Sequence, residues 1–318
     1  VEYYYEKEDG SFEKKSESTE RDGVSGDTVS VTESDKTPTV DGYQYDADNT
    51  GKVETTVLKP DGDNVLEVYF ERKPTEYKTE YYLQNTDGTY SKADETAWKS
   101  GKVGDSVTAE TRTFADYQLI TTPSTIKNIA SIKENKNENV MKLYYNRKTT
   151  YKVEYYYQKN DGSFGTTPDS VSADRAEVAG NTASVTENDK TPEKSGYAFD
   201  NGNIKNVLAS EVKPDGTTVL KVYFVKEDTR YKTEYYLQQP DGSYVKDSSS
   251  AWTDAKVGDS VVAADKTFTG YTKVNVNNGS DKTVDSIASL VKDENSNVMK
   301  LYYNKNTTYK VEYYYEKE

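Results

Sequence analysis

The sequence predicts a mainly β protein built as a tandem array of four small β domains. A Tyr-rich motif, clearest at residues 151–157, recurs along the chain. Its residues alternate with period two, which is strand geometry. An Asp-Gly turn follows each copy, and the turn glycines, Gly10, Gly88, Gly162 and Gly242, are 78, 74 and 80 residues apart. Each repeat therefore has the size of a small domain.

The spacing of the motif sets the boundaries of the repeats. Two types, A and B, alternate along the chain. The predicted ranges are 1–74 (repeat 1, type A), 75–150 (repeat 2, type B), 151–228 (repeat 3, type A), 229–308 (repeat 4, type B) and 309–318 (the start of a fifth unit, type A). Residues 1–8 and 311–318 are identical, so we expect the chain to be cut from a longer array.

The elements of one repeat follow in order. The opening strand of repeat 3 places Tyr151, Val153, Tyr155 and Tyr157 on one face, which we expect to be the core face. The Asp-Gly turn leads into a second strand, which forms a hairpin with the first. Mid-repeat valines and a Gly-Tyr pair predict two further short strands, and a segment with period-two alternation closes the repeat. Each repeat should thus hold about five strands around a Tyr-rich core.

Helix signals are weak and the links between repeats are short. Ile126 and Ile129, like Val284 and Ile287, have helical spacing over about one turn, which leaves α+β as an alternative fold class. The links are not rich in Gly or Ser, so each closing strand runs almost directly into the next opening strand. This favours a semi-rigid, elongated rod.

The composition excludes several classes of function. The chain has 41 Lys+Arg against 55 Asp+Glu, a net charge of −14, and neither His nor Cys. It therefore lacks a Ser-His-Asp triad, a Cys nucleophile and a His/Cys zinc site. The acidic balance disfavours nucleic acid, and no apolar run approaches the roughly 20 residues that span a bilayer. We expect neither an enzyme nor a cofactor or metal site.

The order of these segments resembles the MucBP (mucin-binding protein) repeats and, more distantly, the internalin-type B repeats of Gram-positive surface proteins. In repeat 4 the matching segments are residues 231–236, Asp241-Gly242, residues 257–260, Gly270-Tyr271 and residues 298–303. The match covers essentially the whole chain, four times. The resemblance implies a β-grasp-like domain with neighbouring opening and closing strands, placed in tandem on a wall-anchored adhesin, and it implies no catalytic residues.

Outward tyrosines of the opening strands are candidate ligand-binding residues. Tyr82, Tyr156 and Tyr236 occupy equivalent positions, and aromatic faces stack on sugar rings. The alternative is that they pack against the outward tyrosines of the closing strands, since such cross-strand pairs stabilise exposed sheets.

Two tryptophans complete the candidate binding residues. Trp98 and Trp252 occupy equivalent places in the type B repeats. Trp is a favoured binding anchor, and it serves equally as a core or inter-domain plug.

The function predicted from these observations is structural. We expect stalk or spacer repeats of an extracellular, cell-wall-anchored bacterial adhesin, which project a binding region away from the wall. The alternative is a multivalent module for mucin or another host glycan, in which repetition supplies avidity. Lateral self-association into filaments or biofilm is a further expectation for partners.

Overall fold

The computed structural model describes residues 1–121, 124–275 and 283–317. The chain divides into two compact units. The first unit comprises Val1–Thr149, Ala176–Asn181 and Val212–Thr217, and the second comprises Thr150–Arg175, Thr182–Glu211 and Thr218–Glu318. The described residues contain strands and three one-turn 3-10 helices but no α-helix. The mainly β prediction is confirmed, and the α+β alternative is wrong.

The elements are numbered in chain order. Repeat 1 contains β1 (Glu2–Glu6), β2 (Phe12–Glu17), β3 (Thr28–Ser30), β4 (Tyr43–Tyr45), β5 (Thr55–Val57) and β6 (Glu67–Arg72). Repeat 2 contains β7 (Pro74–Gln84), β8 (Tyr90–Glu95), β9 (Lys99–Lys102), β10 (Val107–Thr108), β11 (Tyr117–Ile120), β12 (Asn128–Ile129) and the first part of β13 (Val140–Tyr157).

The second half of the chain repeats this order. Repeat 3 contains the rest of β13, then β14 (Ser170–Val171), β15 (Arg175–Val178), β16 (Thr182–Ser184), β17 (Tyr197–Phe199), β18 (Ala209–Glu211) and β19 (Thr218–Lys226). Repeat 4 contains β20 (Asp228–Gln238), β21 (Tyr244–Ser249), β22 (Thr253–Lys256), β23 (Val261–Val262), β24 (Tyr271–Lys273), β25 (Ser286–Ile287) and β26 (Val298–Lys305). The 3-10 helices are Lys136–Glu138, Asn188–Lys190 and Glu294–Ser296.

Every repeat is built on one sheet with the same central pair of strands. The opening and closing strands lie side by side and parallel, as the β-grasp-like expectation requires. These pairs are β1 with β6, β7 with β13, β13 with β19, and β20 with β26. The hairpin strand flanks the opening strand, and the Gly-Tyr strand or its equivalent flanks the closing strand, as in the order β2-β1-β6-β4. Short two-stranded ribbons such as β3 with β5 bring the count above the five strands expected.

The core of each sheet is aromatic because aliphatic residues are scarce. In repeat 1 it consists of Tyr5, Val68 and Phe70, all at most 4% exposed. Equivalent clusters are Tyr81, Leu143 and Tyr145 in repeat 2, and Tyr235, Leu301 and Tyr303 in repeat 4. In repeat 3, Val153 and Tyr157 are buried as expected, while Tyr151 and Tyr155 are partly buried.

The turns and links agree with the sequence. Gly10 and its three equivalents have φ between 79° and 87°, a left-handed backbone that only Gly adopts at low cost. A single residue separates β6 from β7 and β19 from β20, and β13 runs through its link without a break. Each closing strand therefore continues almost directly into the next opening strand.

The helical spacing around Ile126 and Val284 does not produce a helix. Ile129 lies in the short strand β12, and Ile126 forms an isolated bridge with Lys142. Val284 bridges Lys300 in the same way. One turn of helical periodicity is too short to repay the cost of helix nucleation, whereas a neighbouring closing strand offers hydrogen bonds immediately.

Candidate functional site

The outward tyrosines of opening and closing strands stack on each other in all four repeats. Because the two strands are parallel and in register, the rings lie directly opposite one another. The ring centroids are 4.6–4.9 Å apart and the ring planes differ by 7–18°. The pairs are Tyr4 with Tyr69, Tyr82 with Tyr144, Tyr156 with Tyr223, and Tyr236 with Tyr302.

A third ring completes each stack, and the sequence interpretation missed it. Phe12, Tyr90, Phe164 and Tyr244 lie edge-on to the closing-strand tyrosine, with centroids 5.0–5.2 Å away. Each follows the Asp-Gly turn by two residues, so the pattern Asp-Gly-x-aromatic was a visible signal. The outward Tyr156, stacked on Tyr223, is only 4% exposed. One face of the opening-strand ring is thus taken by protein.

The tyrosine hydroxyls are also engaged. Tyr82 donates to Glu80 at 2.8 Å and Tyr236 donates to Glu234 at 2.8 Å. Burial, followed by this hydrogen bond, raises the pKa of Tyr82 and of Tyr236 to about 12. The hydroxyls therefore stay protonated at neutral pH and act as donors to carboxylates on their own strand.

The tryptophans lie at the surface beneath cations. Trp98 is partly exposed, with the Lys78 and Lys136 amines both 4.9 Å from its ring centroid. Trp252 has Lys232 at 4.7 Å and the Arg230 guanidinium at 5.5 Å. These are cation–π distances. Neither ring belongs to a core cluster of the described residues, and each ring lies beneath cations.

An open cleft in each type B repeat is lined by one of the cations that lie over the tryptophan, Lys136 in repeat 2 and Arg230 in repeat 4. The cleft in repeat 2 measures about 310 Å³, the one in repeat 4 about 420 Å³. They are lined by equivalent residues, Glu76, Glu134 and Lys136 in the first and Arg230, Lys292 and Glu294 in the second. The charges at each place are opposite, so one charged ligand would not fit both.

Type A repeats contain a buried carboxylate network that the sequence interpretation did not assign. Asp35, 3% exposed, accepts from the Tyr3 hydroxyl and the Thr32 amide, both at 2.8 Å, and pairs with Arg21. The Arg21 guanidinium holds the pKa of Asp35 well below its usual range, against the opposing effect of burial. In repeat 3, Asp189 has the equivalent partners Tyr155, Thr186 and Arg175. The shared Asp-Lys-Thr-Pro segment was the sequence signal for both networks. The network fastens a long loop to the sheet.

The links between repeats are held by side chains of the following repeat. At the charged junction, defined as Arg72–Thr75 with Lys102–Asp105, the Val103 amide donates to the Lys73 carbonyl at 2.9 Å. Arg72, 6% exposed, lies 2.5 Å from Asp105. The corresponding pair in the second unit is Lys226 with Asp259, at 3.1 Å. These contacts fix the direction in which the chain leaves one repeat and enters the next.

A second kind of link occurs in the first unit. The neutral junction, defined as Asn146–Thr149 with Val178–Asn181, is so named because the uncharged Asn146 and Asn181 stand at the positions of the ion pair. Here the Ala179 amide donates to the Arg147 carbonyl at 2.9 Å. Buried Asn146 donates to the Ala179 carbonyl at 2.6 Å and accepts from the Tyr90 hydroxyl. This link is equally continuous but carries no buried ion pair.

The described residues offer no cluster of His, Cys, Asp and Glu that could hold a metal ion. Among them, no helix is long and apolar enough to cross a membrane. What the described residues show repeatedly is ring packing and hydrogen bonding between the central strands.

No protein family model and no curated protein matches the chain. Two solved structures are similar to parts of it. One is the Bacillus anthracis TIE protein, 14% identical with a TM-score of 0.29, covering 76% of this chain and 52% of that one. The other is Mub-RV, 13% identical with a TM-score of 0.14, covering 50% of this chain and 100% of that one. This chain spans about half the length of the TIE structure.

Likenesses this distant carry no argument about function. The MucBP resemblance, the repeat boundaries and the binding residues therefore stay predictions, and function is argued from the geometry of the chain itself.

Proposed function

We propose that the chain is a load-bearing stalk of an extracellular bacterial surface adhesin, which holds a binding region away from the cell wall. The observation that carries the proposal is the parallel pairing of opening and closing strands in all four repeats. The chain enters each repeat at the start of one strand of this pair and leaves at the end of the other. Tension on the chain then loads all hydrogen bonds of the pair together, in shear.

The links support the same function. A stalk must transmit force and direction between repeats, and a flexible link would do neither. Here the link residues are tied by main-chain hydrogen bonds, such as Val103 to Lys73 and Val257 to Glu227. Buried Arg72 and Lys226 each pair with an aspartate of the next repeat.

The repetition itself supports a non-enzymatic role. Each repeat has the same stacked rings, turns and central strands, so no repeat holds a unique group. The number of repeats then sets the reach of the stalk.

The stalk is tested by measuring reach. The chain is placed between a fluorescent head and a surface anchor, and the height of the head is measured with four repeats and after removal of residues 151–308. We expect the height to fall to about half. An unchanged height would overturn the proposal.

Glycan binding is a second candidate because Trp98 and Trp252 recur at equivalent, partly exposed places, and a cation over each ring also lines an open cleft. Each site would be weak and repetition would supply avidity. A glycan array with the four-repeat chain decides this. Sugar-specific signal that is lost in W98A/W252A supports a binder, and no signal supports a stalk without a ligand.

A further inference from the structure

The central strands of the two type B repeats share identical segments. Residues 77–84 and 231–238 both read Tyr-Lys-Thr-Glu-Tyr-Tyr-Leu-Gln, and residues 140–146 and 298–304 both read Val-Met-Lys-Leu-Tyr-Tyr-Asn. The paired registers are also the same, Tyr82 with Tyr144 and Tyr236 with Tyr302. Within these segments, the closing strand therefore cannot distinguish its own opening strand from that of the other type B repeat, in the same chain or in another copy.

Exchange of such strands is a known hazard of repeat arrays. Adjacent domains of similar sequence misassemble during folding, and an identical element exchanged between copies produces swapped dimers. Discrimination between the two strands has to come from residues outside the identical segments.

Two ion pairs at the start of each opening strand supply that difference. In repeat 2, Lys73 pairs with Glu134 at 2.7 Å and Glu76 pairs with Lys136 at 2.7 Å. The first residue of each pair precedes the identical strand, and the second lies in the loop before the closing strand. Before the identical segment, the charges are therefore positive at Lys73 and negative at Glu76. Before the closing strand, they are negative at Glu134 and positive at Lys136.

Repeat 4 keeps both ion pairs and reverses every charge. Glu227 pairs with Lys292, and Arg230 pairs with Glu294 at 2.6 Å. The positions are equivalent because the surrounding contacts are the same. Thr75 donates to the Lys133 carbonyl and Thr229 to the Val291 carbonyl, both at 2.8 Å. Asn139 and Asn297 then donate to these two threonine hydroxyls.

We propose that these charge-reversed pairs are a pairing code that keeps each type B opening strand on its own repeat. If the repeat 4 strand were placed on repeat 2, Glu227 would face Glu134 and Arg230 would face Lys136. The reverse exchange would place Lys73 against Lys292 and Glu76 against Glu294. Every exchange turns two attractions into two repulsions. Exposed pairs add little to stability, but specificity depends on the difference between right and wrong partners.

The proposal is tested by a variant in which repeats 2 and 4 carry the same charges and every ion pair is kept; it is called the erased variant below. The variant E227K/R230E/K292E/E294K gives repeat 4 the charges of repeat 2, keeps both pairs within repeat 4 and leaves the net charge unchanged. The full-length chain is unfolded in urea and refolded at several protein concentrations in low salt. Swapped dimer and misfolded monomer are measured by size-exclusion chromatography with light scattering and by limited proteolysis.

We expect the erased variant to give roughly tenfold more exchanged product than the natural chain, because each wrong pairing loses two repulsions and gains two attractions. The matched control adds K73E/E76R/E134K/K136E, which reverses repeat 2 as well and restores the difference between the repeats. This variant with eight substitutions should refold like the natural chain. The proposal is overturned if the erased variant shows no increase, or if the control shows the same increase.

Salt gives a second measurement that needs no variant. At 1 M salt the Debye length is about 3 Å, so the natural chain should exchange strands several times more often than at low salt. The erased variant should not become more prone to exchange. Equal exchange of the natural chain at both salt concentrations contradicts the code.

Discussion

The charged and neutral junctions of the first unit hold similar links with different chemistry. At the charged junction, buried Arg72 forms an ion pair with partly exposed Asp105. Asn146, also five residues before the next opening-strand tyrosine, replaces Arg72 at the neutral junction, and Asn181 replaces Asp105. Neither of these two positions therefore carries a charge at the neutral junction. Since an unpaired buried charge costs more than the pair contributes, such a pair is exchanged as a whole or not at all.

The two junctions also differ in the size of the side chains that meet there. At the charged junction Gly42 has φ of 83°, and a Cβ there would lie 2.7 Å from Val103 Cγ1. At the neutral junction Asp116 precedes the tyrosine of β11 as Gly42 precedes that of β4, and Ala179 stands where Val103 does. The close approach of a left-handed glycine to a valine side chain is thus present at the charged junction and has no counterpart at the neutral junction.

Removing the Asp105 carboxylate should have the largest effect on this comparison. In D105N, buried Arg72 loses its partner, and we expect a loss of about 2–3 kcal/mol in the free energy of local opening at the charged junction. N181A at the neutral junction should cost less than about 0.5 kcal/mol. Hydrogen exchange of the Val103 and Ala179 amides measures both. R72N/D105N, which copies the neutral junction, should recover most of the loss, and failure to recover would refute the pairwise exchange.

Adding a methyl group at Gly42 should have the next effect. G42A combines a left-handed backbone with the overlap on Val103, and we expect a loss of about 2 kcal/mol. V103A removes the overlap, so G42A/V103A should regain part of the loss and retain about 1 kcal/mol from the backbone. D116A is the matched control and should be nearly neutral by urea denaturation. Equal losses in G42A and D116A would show that the two junctions do not differ in this respect.

Lowering the pH should destabilise the charged junction more than the neutral junction, with a smaller effect than the substitutions above. Although burial opposes it, hydrogen bonds from the Lys102 amide and Arg72 lower the pKa of Asp105 in the folded chain. A lowered folded pKa means that this stabilisation is present above the unfolded pKa of about 3.9 and is lost as pH falls through the folded value. Asn181 has no proton to gain, although Glu177 beside it does. Amide protection, corrected for intrinsic exchange, should fall more at Val103 than at Ala179 between pH 6 and pH 3.

Local pattern was enough to predict the strands and turns, and it gave packing of the outward tyrosines as one of two interpretations. Tyr82 and Tyr144 sit on period-two segments, so parallel neighbours bring them together once the β-grasp-like order is assumed. The ring of Tyr90 was within reach of the same reasoning, since its position after the Asp-Gly turn recurs.

Contacts between segments that are far apart in the sequence could not be predicted from the alternation pattern. The cation over Trp98 comes from Lys136, and the carboxylate beside Arg72 comes from the next repeat. Such pairs depend on how loops cross the sheet, which alternation does not encode. The α+β alternative, which rested on helical spacing such as that at Ile126, was wrong for a related reason, because a bridge to the closing strand competes with a single helical turn.

The most direct test of the stalk is the direction in which repeat 4 resists force. The chain has no cysteine, so introduced pairs give unique handles in the full-length protein. Handles in D228C/K305C pull the parallel strands β20 and β26 in shear, whereas handles in P240C/K305C pull them apart from one end. In single-molecule force spectroscopy we expect the shear direction to need a severalfold higher unfolding force. Equal forces in the two directions would contradict the account.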